Sequence, residues 1–266
     1  NILNVHHGGE ANPFINYPFL EAGTLKSLVD DAHDMDVKVK LYYTVRELTT
    51  KICEYPIIRS LDYEILEPSR GIENMTFWQD EAKEWISKNF GDDIIPAWKE
   101  TITKGKYAGQ VDASLLTNGQ SRLCNYYIEG LDWLVKNVGI DGLYIDDLAF
   151  DRATMKRIRK VLDAGCPEPR IDLHSANQYN PKDGYINSAC LYMEHMPYLD
   201  RLWLGEYFDY DANPDYWLTE ISGIPYGLMG EMLQNCGNPW RGIIYGMTSR
   251  LHWEGCEVAQ YLWKAW

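Results

Sequence analysis

Positive charge is scarce in this chain. Lys and Arg number 25 against 39 Asp and Glu, a formal net charge of −14. A polynucleotide partner needs a basic surface to neutralise its phosphates, so the composition argues against nucleic acid, and against an anionic membrane on the same ground. Apolar runs of the ~20 residues needed to cross a bilayer are missing too. The six cysteines (Cys53, Cys124, Cys166, Cys190, Cys236 and Cys256) stand far apart. They lack the paired spacing of a zinc site and the density of a disulfide scaffold. They read as small packing residues, and no metal or other cofactor is implied. There is no short-period repeat and no low-complexity tract. No Gly-rich phosphate loop follows the first strand and no Gly-x-Ser-x-Gly elbow occurs. Those absences speak against dinucleotide binding, and against serine-nucleophile chemistry at His174-Ser175. A signal peptide is also missing, since Asn1-Ile2-Leu3-Asn4-Val5 reads as a strand. With no initiator Met, the chain reads as processed or as a piece of a longer polypeptide. Its compartment stays open, extracytoplasmic being the favoured side, and its oligomeric state is not legible.

What is present is an alternation of strand-like runs with amphipathic helices, the pattern of an α/β fold with parallel strands. The 266 residues suit one (β/α)8 barrel, for which roughly 250 are typical. The expected organisation is a single domain over 1–266. The first strand is Ile2 to His7, and Thr24 caps a helix to about Met35 whose Leu25, Leu28, Val29 and Ala32 share a face. The second strand runs from Val37 to Thr44. Residues 49–107 are irregular and read as a long insertion after it, of the kind that shapes a cleft. Gly109 to Leu115 is the expected third strand. A helix follows with Tyr127, Leu131, Leu134, Val135 and Val138 on one face, ended by Gly139. Asp141 to Asp147 is the expected fourth strand, with a helix from about Ala153 to Leu162 behind it. Arg170 to His174, Cys190 to Glu194, Gly227 to Met232 and Gly242 to Met247 complete eight.

Polar residues gather where these strands end: His6, His7 and Glu10, then Arg46 and Glu47, Asp112, Asp146 and Asp147, His174 and Asn177, Glu194 and His195, Glu231, and Arg250. In a barrel those C-terminal ends carry the chemistry. The fourth strand is the most specific. Side chains alternate, so Tyr144 and Asp146 share one face while Ile145 and Asp147 take the other. Adjacent carboxylates repel, which tends to keep one protonated near neutral pH. One ionised and one protonated acid is what cleavage of a glycosidic bond requires. A helix cap or a divalent-metal pair would use the same residues, but Asp151, nearer to Ala153, is the better cap. Glu194 is the rival catalytic partner and Glu206 a reserve acid. Adjacent His6 and His7 on a strand would point to opposite faces and could not chelate together, so sugar hydrogen bonding suits them better.

Aromatics are plentiful, with 10 Trp and 19 Tyr. Sugar C–H faces pack on aromatic planes while indole and phenol offer polar edges. Trp78, Trp98, Trp203, Trp217, Trp240 and Trp253 fall in expected loops where they would serve this way. Trp133 is expected in helix packing.

The stretch Gly139-Ile140-Asp141-Gly142-Leu143-Tyr144-Ile145-Asp146-Asp147 resembles the fourth-strand motif of many barrel glycosidases, Gly-[Ile/Val/Phe]-Asp-Gly leading to a catalytic Asp. The wider chain is similar to bacterial proteins of glycoside hydrolase family 123, the β-N-acetylgalactosaminidases. The similarity lies at Asn4-Val5-His6-His7-Gly8-Gly9, Tyr42-Tyr43-Thr44-Val45-Arg46-Glu47-Leu48 and His174-Ser175-Ala176-Asn177-Gln178-Tyr179-Asn180. The resemblance implies a substrate-assisted retaining mechanism, in which the sugar's own 2-acetamido oxygen attacks the anomeric carbon. By position, Asp146 would polarise the acetamide and Asp147 act as general acid/base. The family is expected to show Asp-Glu where this chain has Asp-Asp, a pair found in another substrate-assisted hexosaminidase group. His6, His7, Glu10, Tyr43, Arg46, Tyr144, His174, Asn177, Glu206 and Trp240 are the candidate substrate contacts. Two other readings stay open: a two-carboxylate glycosidase with Asp146 as nucleophile and Glu194 as acid/base, and a carbohydrate-binding barrel without turnover.

Overall fold

The computed structural model describes residues 1–44, 47–50, 52–61, 64–65, 96–102, 110–114, 122–146, 150–175, 189–204, 211, 213–215, 229–232 and 248–249. The chain divides into two compact units, Asn1–Arg170 and Ile171–Trp266.

In the first unit, strand β1 (Ile2–Val5) pairs in parallel with β2 (Lys38–Thr44), which pairs in parallel with β6 (Gly142–Asp146). Between β1 and β2 runs helix α1 (Ala22–Asp34), which buries Leu25, Val29 and Ala32. The expected cap at Thr24 is not used. A 3-10 turn at Pro18–Glu21 leads straight into the helix, and Glu21 stands at its N-cap without a side-chain cap bond. Between β2 and β6 lies α3 (Arg122–Asn137), preceded by the short α2 (Tyr55–Ser60). Helix α3 buries seven side chains, among them Tyr127, Leu131, Leu134 and Val135; burying one large apolar side chain fully stabilises by about 1.5–3 kcal/mol. Gly139 stops it at φ +85, and the amides of Val138 and Gly139 both close on the Leu134 carbonyl. A left-handed residue after a helix is the position that favours glycine. Helix α4 (Arg152–Gly165) begins as the sequence indicates, with Asp151 accepting from the Ala153 and Thr154 amides.

The register gives the parallel strands two chemically distinct faces. Val39, Leu41, Tyr43, Leu143 and Ile145 lie on one and are buried. Tyr43 meets Tyr127 of α3 there, with ring centroids 5.8 Å apart, which makes this the helix-facing side. Asn4, Lys40, Tyr42, Thr44, Tyr144 and Asp146 share the other, polar side.

Two expectations are corrected in this unit. Residues Gln110–Ser114 (β5) do not join the parallel strands; they pair antiparallel with Glu47–Thr49 (β3) and Pro96–Ile102 (β4). The motif strand β6 therefore lies directly beside β2 rather than one strand further on. A short run of alternating residues looks the same in a barrel strand and in a hairpin, and only the pairing tells them apart. Trp133, expected in packing, is 43% exposed, although its ring edge rests on Phe19 at 5.7 Å.

The Asp141-Gly142 pair has a structural use at the entry of β6. The Asp141 carboxylate accepts from the Val39 amide at 2.7 Å and bonds His33 Nε2 at 2.8 Å. Its own amide donates to the Val39 carbonyl at 2.8 Å. Gly142 is needed for a close approach, since a Cβ there would lie 1.8 Å from the Arg170 carbonyl oxygen.

The second unit holds β7 (Arg170–Ser175, entering from the first), β8 (Arg201–Leu204), β9 (Met229–Met232) and β10 (Thr248–Ser249), paired in parallel from β7 to β10 in that order. The expected strand at Cys190–Glu194 is instead part of a 3-10 helix, Ala189–Tyr198. The strand of this stretch is β8, and Trp203, expected in a loop, lies on it and donates through Nε1 to Asp172 at 2.8 Å. The expected eighth strand, residues 242–247, lies outside the described residues; β10 follows it directly. Among the described residues no helix is long and apolar enough to cross a membrane.

Replacing Gly142 by Ala forces backbone against backbone at β6. Overpacking ordinarily costs about 1–3 kcal/mol, and a carbonyl cannot swing aside as a side chain can. Gly142→Ala is therefore expected to lower stability by about 3 kcal/mol or more in urea titration. An unchanged midpoint would mean that Arg170 does not approach this glycine.

Candidate active site

Strand β6 ends at Asp146, and the register sets Thr44 of β2 beside it and Tyr42 beside Tyr144. Two residues back along β2, on the same polar face, the Tyr42 hydroxyl reaches across and donates to Asp146 Oδ2 at 2.7 Å. Tyr42 is buried, and burial first, then the charge of Asp146, pushes its phenol well above the ordinary tyrosine range. It therefore keeps its proton, with which it donates in this bond.

Three more rings surround Tyr42. His6 and His7 pack against it as tilted rings with centroids at 4.1 and 4.7 Å, and Tyr144 lies 5.9 Å away. The two histidines do not part to opposite faces as residues within a strand would. Strand β1 stops at Val5, Gly8 turns the chain at φ 87, and the imidazoles come to rest 4.5 Å apart. Burial first, and the neighbouring His6 second, push His7 down to about 3 against the opposing pull of Asp146. His7 is neutral at any ordinary pH, and its Nδ1 is buried without a hydrogen-bond partner among the described residues.

The C-terminal end of β2 is fixed by Asn16, a buried residue of the loop after β1. It holds a left-handed backbone at φ 57, which Asn tolerates better than most residues. Its Oδ1 accepts from the Thr44 amide at 2.8 Å, and its Nδ2 donates to the Glu47 carbonyl and, at 2.6 Å, to the Tyr127 hydroxyl. Tyr127 in turn donates to the Thr44 carbonyl at 3.2 Å. The end of β2, the start of β3 and helix α3 are thus tied to one side chain.

The structure brings together four of the expected residues, His6, His7, Tyr144 and Asp146, around Tyr42, which sequence reading passed over for its neighbour. Tyr43 is corrected: it lies on the helix-facing side, and burial alone pushes its phenol up. Glu10 is an exposed loop residue. His174 is buried on β7 in the second unit, in register with Trp203. Glu194 is corrected as well: it ends no strand, and its side chain, 60% exposed on the 3-10 helix, lies 3.6 Å from the buried His195. Asp147, Arg46, Asn177, Glu206 and Trp240 lie outside the described residues. Among the described residues there is no cluster of three or more metal-ligating side chains. Cys53 is exposed and Cys124 and Cys166 are buried, all as free thiols.

Residues 1–252 match the glycoside hydrolase 123 TIM-barrel domain. The chain belongs to glycoside hydrolase family 123. Its fold is accordingly a TIM barrel, and Asp146 stands at the C-terminal end of a parallel strand, the end where barrels place their chemistry. Among solved structures, the family 123 chain is similar to an α-amylase from Geobacillus thermoleovorans complexed with acarbose, at 16% identity over 68% of this chain and 33% of that one, with a TM-score of 0.41. It is also similar to a maltogenic α-amylase, AmyB, from Thermotoga neapolitana, at 14% identity over 80% of this chain and 41% of that one, with a TM-score of 0.43. The chain spans 24–41% of the length of the first five solved structures it matches. No curated protein matches it.

The depressed His7 has a direct consequence for stability. Between its unperturbed value of 6.5 and its folded value of about 3, the unfolded chain binds a proton that the folded chain does not. Stability then rises with pH across that window and is lost as pH falls through it. Urea midpoints of the native protein should fall more steeply on acidification than those of His7→Gln, the two running parallel above pH ~7. Equal slopes would show that folded His7 takes up its proton as readily as the unfolded chain.

Proposed function

We propose that this family 123 domain is a glycosidase that removes a terminal N-acetylhexosamine with the substrate's own acetamide as nucleophile. The observation that carries the reading is the place of Asp146. It ends a parallel strand on the polar face, accepts a hydrogen bond from an un-ionised tyrosine at 2.7 Å, and has buried tyrosine rings and an imidazole close by. A carboxylate in that setting is held as an acceptor, suited to the N–H of an acetamide. Drawing on that N–H makes the acetamide oxygen a better nucleophile. It attacks the anomeric carbon, the bond to the leaving oxygen breaks, and a cyclic oxazolinium forms with its positive charge beside Asp146. Asp147 is assigned the proton that the leaving oxygen takes, and it then accepts a proton from the water that opens the ring, restoring the sugar with retained configuration.

Several features support a sugar as the ligand. The net charge of −14 suits a neutral substrate, and the Tyr42, Tyr144, His6 and His7 rings offer faces and polar edges to a pyranose. Neutral His7 can hydrogen bond a hydroxyl without adding a cation next to the developing positive charge. The alternative that pairs Asp146 with Glu194 finds no support in the exposed position of Glu194.

The test uses aryl 2-acetamido-2-deoxy-β-glycosides of galactose and glucose. Asp146→Asn should lower kcat by about a thousandfold, and Asp147→Asn by an amount that grows as the leaving group becomes poorer, both within the usual 10²–10⁴ range for such groups. A thiazoline that mimics the oxazolinium should inhibit competitively. Turnover of glycosides lacking the acetamido group at comparable rates would overturn the substrate-assisted mechanism. Sugar binding with no turnover of any glycoside would leave a binding barrel instead.

A further inference from the structure

We propose that Tyr42 is a positioning residue for Asp146, fixing which of the two adjacent carboxyls carries the negative charge. This rests on the reading of Asp146 as the acetamide-orienting carboxylate and adds a division of labour to it. Two aspartates consecutive in sequence are chemically alike, and the sequence does not say which of them carries the charge. The Tyr42 hydroxyl breaks the tie. It lies 2.7 Å from Asp146 Oδ2, and a phenol that cannot ionise gives that oxygen a permanent donor. A donor favours the charged form of the acid it faces. Asp146 becomes the ionised member, and the proton is left to Asp147, where the leaving oxygen needs it.

The ring itself has little freedom. Tyr42 is 2% exposed, packed by His6 at 4.1 Å and His7 at 4.7 Å from the loop after β1, and by Tyr144 of β6 at 5.9 Å. The β2–β6 register fixes where its Cα stands relative to Asp146. Among the described residues, the titratable groups that face Tyr42 in this unit are Asp146 and Tyr144 on β6, Glu47 on β3, and His6 and His7 after β1, and the buried Lys40 stands two residues before it on the same face of β2. Glu47 and Asp146 both resist ionisation of the phenol, and neutral His7 does nothing to promote it. The hydroxyl is thus a donor of constant direction across the working pH range.

The experiment compares the wild type with Tyr42→Phe, which keeps the ring and deletes the oxygen, on the p-nitrophenyl 2-acetamido-2-deoxy-β-galactoside and -glucoside. A charge-assisted hydrogen bond is among the stronger ones in a protein. Its loss should move the acidic limb of the kcat/KM profile to higher pH by about a tenfold change in proton affinity, and lower kcat about 10–100-fold with KM within about threefold. A second variant carries 3-fluorotyrosine at position 42. Its more acidic phenol is a stronger donor in the same space, so the limb should move the opposite way, to lower pH. A purely structural Tyr42 would move neither limb. Asp146→Asn runs alongside. If it abolishes turnover while both Tyr42 variants keep the wild-type profile, the positioning role is overturned and the function stands. If Asp146→Asn retains full activity, both fall together.

Discussion

The site depends on the parallel register between β2 and β6. Strand pairing fixes Tyr42 opposite Tyr144 and Thr44 opposite Asp146, and from that single offset the phenol comes within 2.7 Å of the carboxylate. A slip of one residue would turn every side chain of β6 to the opposite face, sending Asp146 toward the helices and Ile145 toward the polar side. Asp141 and Gly142 guard against the slip. Asp141 grips Val39 twice, its carboxylate accepting from the Val39 amide and its own amide donating to the Val39 carbonyl, and Gly142 fits a backbone approach that no other residue allows. The two ends of one five-residue strand divide the work, the entry end holding register and the exit end presenting the acid.

Much of this was legible in the sequence, and the failures have identifiable causes. Period-two alternation placed Tyr144 and Asp146 on one face, helical spacing found the buried stripe of α3, and Gly139 and Asp151 were recognised at its end and at the start of α4. Alternation says that Tyr42 and Tyr43 face opposite ways but not which faces the acid, because tyrosine is at home in both settings. The sequence reading favours Tyr43, and the pairing with β6 gives the place to Tyr42. The same rule applied to His6 and His7 failed because β1 had already ended at Val5. Short runs mislead twice, the alternating one at Gln110–Ser114, which pairs antiparallel, and the apolar one at Cys190–Glu194, which coils as a 3-10 helix. Nothing local marks Asn16. Its three partners lie 28 to 111 residues away, and such contacts leave no trace in a window of neighbours.

The charge pattern around Asp146 follows one logic. Among the described groups beside it are an un-ionised phenol and an imidazole that burial keeps neutral. These two groups act on a carboxylate through dipoles. A fixed positive charge would satisfy Asp146 more strongly in the resting state and then oppose the positive charge that the proposed reaction develops. Oriented neutral donors avoid that conflict, which is the general advantage of preorganised dipoles over full charges at a reacting centre.

The Asn16 knot has a consequence for how such a domain can diversify. Because one amide side chain clamps the last residue of β2 and the first of β3, whatever follows is suspended from a fixed post. The antiparallel sheet beyond it can lengthen, shorten or change its surface without dragging the acid-bearing strand along. Its sequence can vary while the strand that carries Asp146 stays where it was.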